Sequence, residues 1–101
     1  MLRRYRLKRS GRRARKEAPA LRAFVDAIRK RCRAANGWYI CEVCSGLTRS
    51  IDAHHVKPRS RGGDHDPRHP ARGGNGLGVC RGCHEWIGSH PEQARKLGWL
   101  K

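Results

Sequence analysis

The sequence predicts a small α+β domain stapled by a bound metal ion. Three observations lead there: a chain of 101 residues with little core material, two C-x-x-C pairs among five cysteines, and helical and extended stretches separated by Gly- and Pro-rich loops. That length makes one domain. One Phe, one Met and a mean hydropathy of −0.87 promise only a thin core. Domains of this kind usually need disulfides or a metal to hold together.

The cysteines choose between those two staples. Disulfides would imply a secreted chain, yet Met1 to Arg6 is arginine-rich with no apolar segment after it, so no secretory signal is expected. Ser10 is the lone serine of that stretch, which argues against an organelle presequence. No apolar run approaches the length of a membrane span. The expectation is an intracellular, reduced, metal-binding protein. Cys41/Cys44 and Cys80/Cys83 are what a tetrahedral structural Zn²⁺ requires, each pair reaching the ion from a tight knuckle. Residues 45–79 lie between them, well beyond the roughly 15 to 20 residues of a zinc ribbon. A functional insertion is therefore expected between the knuckles. A redox C-x-x-C, or a mixed site of Cys41, Cys44 and one of His54 or His55, is the competing reading. Cys32 continues an apolar stripe and reads as a small buried hydrophobe.

The formal charge of +16 and a pI near 11.2 call for a polyanionic partner, and nucleic acid is the usual one. An anionic membrane surface and plain solubility are the bland alternatives. Residues 1–16 carry Arg3, Arg4, Arg6, Lys8, Arg9, Arg12, Arg13, Arg15 and Lys16 without an acid. Such a block cannot pack on itself, so the expectation is an arm disordered when free and laid on phosphates when bound, with steep salt dependence.

The remaining elements follow in order, within a single domain over 17–101. Residues 17–37 predict a helix, with Pro19 in its first turn, Leu21, Phe24, Val25, Ile28 and Cys32 at helical spacing, and Asn36-Gly37 as the stop. Residues 38–101 form the expected knuckle-bearing core. Trp38 to Ile40 reads as a short strand and Leu47 to Val56 as a second extended stretch. Lys57 to Asn75 is a Gly-, Pro- and Arg-rich loop, long enough that a functional role is expected of it. Leu77 to Val79 is a third strand. A helix starting near Cys83 follows, and His90-Pro91-Glu92 either breaks it or opens a short second one. No repeat is evident beyond the cysteine pairs.

Within the insertion stand Asp52-Ala53-His54-His55-Val56-Lys57-Pro58-Arg59-Ser60-Arg61-Gly62-Gly63, followed by Gly74-Asn75-Gly76-Leu77-Gly78-Val79-Cys80-Arg81-Gly82-Cys83-His84. From about Cys41 to the end the chain resembles HNH (ββα-metal, His-Me finger) endonucleases with four-cysteine zinc knuckles, of the bacterial and bacteriophage type. The resemblance implies a hairpin and a helix gripping one catalytic metal, fitted into the DNA minor groove. It makes His55 the general base, His54 and His84 ligands of the catalytic metal, and Asn75 the residue that fixes the base. The chemistry is compatible: a histidine held in one tautomer is a competent base near neutral pH, an amide can hold it through the nearby backbone or ring, and a divalent ion can stabilise a departing 3′ oxygen. Lys57, Arg59, Arg61, Arg68 and Arg72 read as phosphate contacts, which position without reading sequence. Relaxed sequence preference is therefore expected, with Arg3, Arg4, Arg12 and Arg13 adding contacts from the arm.

Two departures from the family pattern stand out. Many relatives carry a further histidine one turn after the metal-binding one, where this chain has Gly88, with His90 off register. Others have Asp where His54 stands, so that Mn²⁺, Ni²⁺ or Zn²⁺ could compete with Mg²⁺, with Asp52 orienting His54 from behind. His65 and His69 read as surface groups. The expected activity is DNA nicking by a monomer, and by resemblance alone a phage enzyme working with packaging (terminase) proteins in the bacterial host cytoplasm. The alternative is a non-catalytic zinc-containing nucleic-acid-binding protein.

Overall fold

The computed structural model describes residues 11–101, without the side chains of residues 11–17 and of Arg59. Arg3 and Arg4 lie outside it, as do the side chains of Arg12 and Arg13. Helix α1 runs from Gly11 to Cys32, not over 17–37. The basic segment is thus helical from Gly11, because Arg, Lys and Ala are good helix formers that extend an amphipathic helix backwards. Pro19 lies inside the helix rather than in its first turn. Asn36 and Gly37 do supply the stop, at φ +58° and +77°, within a 3₁₀ turn over Ala35–Gly37.

Two antiparallel two-stranded sheets follow: β1 (Tyr39–Ile40) with β2 (Leu47–Thr48), and β3 (Asp52–His55) with β4 (Gly76–Val79). The first cysteine knuckle is the turn of the first hairpin, closed by Cys41 N to Gly46 O and Ser45 N to Cys41 O. The expected single stretch from Leu47 to Val56 is therefore two strands, because its halves pair with different partners. Helix α2 (Arg81–Ser89) starts two residues earlier than expected, with Cys80 as its N-cap, and α3 (Pro91–Lys96) follows directly. Among the described residues the result is a small α+β domain with two small hairpins, three α-helices and a cysteine cluster. Among the described residues no helix is long and apolar enough to cross a membrane.

The β3–β4 hairpin is sandwiched between α1 and α2. Its register sets Asp52 opposite Val79, Ala53 opposite Gly78, His54 opposite Leu77 and His55 opposite Gly76, and directly opposed residues share a face. Gly76 and Gly78 therefore form one face together with Ala53 and His55, and α1 lies directly on it. A Cβ at Gly78 would stand 2.4 Å from Cys32 Sγ, and one at Gly76 2.8 Å from Ile28 Cδ1. The Gly-Leu-Gly-Val pattern thus keeps one face of β4 flat for a helix while Leu77 and Val79 fill the other. Phe24, Ile28, Cys32, Ile51, Val56, Leu77, Val79, Ile87 and Ala94 make the core. Leu21, expected in the apolar stripe, is exposed.

The long loop over residues 57–75 is organised by a device used twice. Pro58 O accepts from Arg61 N and Gly63 N, and His69 O accepts from Arg72 N and Gly74 N, around 3₁₀ turns Arg59–Arg61 and Pro70–Arg72. Each turn ends in a left-handed glycine, Gly62 (φ +84°) or Gly73 (φ +83°). In each, the next glycine backs onto main chain: a Cβ would meet Lys57 O at 1.7 Å from Gly63 and Arg68 O at 2.0 Å from Gly74. The two Arg-Gly-Gly segments are thus one local structure repeated, which side-chain motifs alone did not reveal.

Candidate metal centre and histidine cluster

Two knuckles bring the four cysteines together. Cys41 belongs to the turn of the first hairpin, and Cys80 caps α2 so that Cys83 lies in its first turn. Their four sulfur atoms lie within 4.8 Å of one another. Among the described residues this is the only cluster of three or more His, Cys, Asp or Glu ligand atoms so close. The geometry and donor set suit a structural Zn²⁺.

Backbone amides prepare the sulfurs for a metal. Cys41 Sγ accepts from the amides of Val43 (3.4 Å), Cys44 (3.5 Å) and Cys80 (3.3 Å). Burial pushes its thiol up, but these donors outweigh burial and bring it down to about 7. Burial and the neighbouring sulfurs push the Cys83 thiol up. The fifth cysteine, Cys32, is buried in the core, and burial foremost raises its thiol to about 11. It is a packing residue, as its place in the helical stripe predicts.

Glu42, between the first two cysteines, ties knuckle to sheet. Its backbone N donates to Gly78 O (2.8 Å) and its carboxylate accepts from Gly78 N (2.7 Å). Arg31 grips the same carboxylate at 2.7 and 2.9 Å while donating to the carbonyls of Pro67 and Gly76. Burial pushes the Glu42 carboxyl up, and Arg31 together with the Gly78 amide carries it below its ordinary value. Nothing in the sequence singled out this strap, because its three anchor points are far apart along the chain.

The paired histidines part at the sheet. His54 points toward α2 with Asp52, and its ring centroid is 5.4 Å from that of His84. His54 Nε2–H donates to Trp99 O at 2.7 Å and His84 Nδ1–H donates to Asp52 Oδ2 at 3.0 Å. A carbonyl and a carboxylate only accept, so in the neutral rings the lone pairs lie on His54 Nδ1 and His84 Nε2. Burial foremost lowers the His54 pKa, opposed by the Trp99 carbonyl, so the ring stays neutral and able to donate a lone pair. Asp52 thus stands behind His84, not behind His54 as expected.

His55 points to the opposite face. Its ring stacks on Phe24 of α1 at 4.1 Å between centroids and 6° between planes, and its Nε2 shares a 3.0 Å hydrogen bond with His65 Nδ1. His65 is therefore half-buried, not a surface group, and its Nε2 is buried with no partner among the described residues. Such an orphan costs about 1–3 kcal/mol. Asn75 is 7% exposed and bonds main chain only. Its Oδ1 accepts from Lys57 N (2.6 Å), and its Nδ2 donates to Lys57 O (3.0 Å) and Asp64 O (2.9 Å). The Asn75 side chain thus ties the main chain two residues beyond His55 to the loop at Asp64.

The other residues divide clearly. His90 stacks on Trp86 at 4.6 Å, with Nδ1 near Trp86 O and Ser89 Oγ, so it is committed away from His84. His69 accepts from Ala71 N as the cap of a 3₁₀ turn at the surface, as expected of a surface group. Arg68 is paired with Asp66 at 2.6 Å. Lys57, Arg61 and Arg72 are exposed. Arg68 and Arg72 line an open cleft of about 460 Å³ with Arg31, His69 and Glu42. No protein-family model, curated protein or solved structure matches this chain.

Proposed function

We propose that this chain is an HNH-type, metal-dependent DNA endonuclease that nicks phosphodiester bonds with low sequence specificity. One observation carries the reading: at the end of β3, His54 meets His84 of α2 across 5.4 Å while the neighbouring His55 is held separately by stacking and a hydrogen bond. A hairpin, a knuckle and a helix in this order resemble a ββα-metal unit. The lone pairs of His54 and His84 fit a divalent ion, and the Asp52 carboxylate behind His84 is the usual support of a metal-bound imidazole. When bound, that ion would supply Lewis-acid stabilisation of the phosphate and the leaving 3′ oxygen.

The chain's own residues do the rest. His55 is the last residue of β3, the point where the strand ends and its two faces can address one phosphate, and in this reading it takes the proton of the attacking water. Asn75 closes the loop that carries Lys57, Arg61, Arg68 and Arg72, which hold the DNA backbone in place. The formal charge of +16 draws the polyanion in. A phage origin and packaging partners rest on the resemblance alone.

The test is plasmid nicking by the zinc-loaded protein across Mg²⁺, Mn²⁺, Ni²⁺ and Zn²⁺, against His84→Ala. Wild type is expected to convert supercoiled to open-circular DNA, and His84→Ala to lose most of that activity at low metal concentration. Intact plasmid in every ion, with tight DNA binding, sinks the nuclease reading. It would favour the second one, a non-catalytic nucleic-acid-binding zinc protein. Gly88 offers a further check. A Cβ there meets nothing within 4 Å, and the position lies one turn after His84. Gly88→His is expected to tighten catalytic-metal binding about 10-fold or more, as an added ligand with better helix propensity. Titration of nicking rate against Mn²⁺ measures it, and an unchanged midpoint rejects the metal placement.

A further inference from the structure

We propose that His65 is a positioning residue for His55, delivered to it by the loop that Asn75 closes. The inference rests on the endonuclease reading and names a part of its machinery that the sequence pattern does not contain.

A general base works only when its ring is held in one orientation and one tautomer. The Asn75 amide bonds Lys57 N, Lys57 O and Asp64 O rather than the His55 ring. The ring is held by other groups. Phe24 covers one face at 4.1 Å, nearly parallel, which fixes the plane. Rotation within that plane is fixed by the 3.0 Å bond between His55 Nε2 and His65 Nδ1. Phe24 also touches the His65 ring, at 5.8 Å and 60°, so the three rings form one cluster.

Asn75 reaches this cluster through the chain. Its Nδ2 holds Asp64 O, one residue before His65, and the close approach of Gly63 to the Lys57 carbonyl brings that residue back beside the strand. The Asn75 side chain thus sets where the Asp64–His65 segment lies, and His65 sets the ring of His55. The buried Nε2 of His65 has no partner among the described residues. A ring placed there for packing alone would be better apolar, and its retained nitrogen at Nδ1 is the atom that bonds His55.

The test compares wild type, His65→Leu and His65→Asn as full-length, zinc-loaded chains in steady-state nicking. The amide of Asn places a polar atom where Nδ1 stands, whereas Leu keeps bulk without a bond. His65→Leu is expected to lower kcat by about 10- to 100-fold with KM for DNA unchanged. His65→Asn restores most of kcat. The His55 ring nitrogen resonances move in His65→Leu and return in His65→Asn. Wild-type kcat in His65→Leu overturns the assignment, as does equal loss in both variants with loss of zinc or a raised KM, which marks a merely structural residue. An inactive wild type overturns the endonuclease reading itself, and this assignment with it. An active wild type beside an unaffected His65→Leu overturns only this one.

Discussion

Removing the metal from the four-cysteine site is expected to unfold the domain. The site joins the turn of the β1–β2 hairpin to the start of α2, two parts that otherwise meet through few apolar side chains. The buried core is small, with Phe24 its sole large aromatic. Structural Zn²⁺ in small domains binds with about 10–16 kcal/mol of apparent free energy, comparable to the whole stability of a domain, about 5–15 kcal/mol. Treatment with a strong chelator is therefore expected to abolish the helical circular-dichroism signal, and Cys80→Ser to prevent folding. Cys32→Ala is the control: it removes one buried sulfur from the core, keeps the metal, and costs about 1–2 kcal/mol. Acid acts in the same direction as chelation, because each thiol must lose its proton to bind. Cys41, already brought to about 7 by its amide donors, keeps its thiolate to lower pH than a free cysteine. In the metal-free chain that contribution is full above the ordinary thiol range and is lost as pH falls through about 7, and a bound ion carries the loss to lower pH still. A helical signal that survives chelation would show that the cluster is not a structural staple.

His55→Ala is expected to lower the nicking rate by about 10²- to 10⁴-fold, the usual contribution of a general base. DNA affinity and metal content are expected to stay as in wild type, because on the proposed reading DNA is held by Lys57 and the exposed arginines of the loop and the structural metal by the cysteines. The faces of β3 make this variant different in kind from His84→Ala. His55 contacts α1 and the loop, whereas His84 and His54 lie on the α2 side. Raising the divalent-ion concentration should accordingly rescue His84→Ala in part and His55→Ala not at all. The variant also empties a position stacked on Phe24, so a loss of about 1–2 kcal/mol in stability accompanies it. Nicking by His55→Ala at the wild-type rate removes this residue from the chemistry.

The shared geometry of the two knuckles explains why the metal-binding cysteine cluster is legible in the sequence. C-x-x-C is a local pattern: one turn of chain delivers both sulfurs, so spacing alone specifies it. The same holds for the stripe Phe24, Ile28 and Cys32, which helical period places on one face, and for Cys32 as packing rather than ligand. The boundaries of α1 were less legible, because a run of arginines reads equally as a free arm or as the solvated start of a helix. Helix starts and strand breaks depend on which partner a segment finds, as Leu47 to Val56 shows by splitting between two hairpins.

From sequence alone came the residue types: four thiolates in two tight turns, a strongly basic loop, and two adjacent histidines followed by Asn75 and His84. Tertiary structure alone decided which of these meet. Alternation along β3 sends His54 to Asp52's face and His55 to the glycine face under α1, and the pairing with β4 makes that division unavoidable. Asp52 therefore supports His84 instead of His54, and His65 arrives beside His55 from ten positions along the chain. The physical reason is range. Ligand spacing and periodicity are set by covalent geometry over a few residues, whereas hydrogen bonds such as Asn75 to Asp64, Trp99 to His54 and Arg31 to Glu42 exist only after the loops have closed.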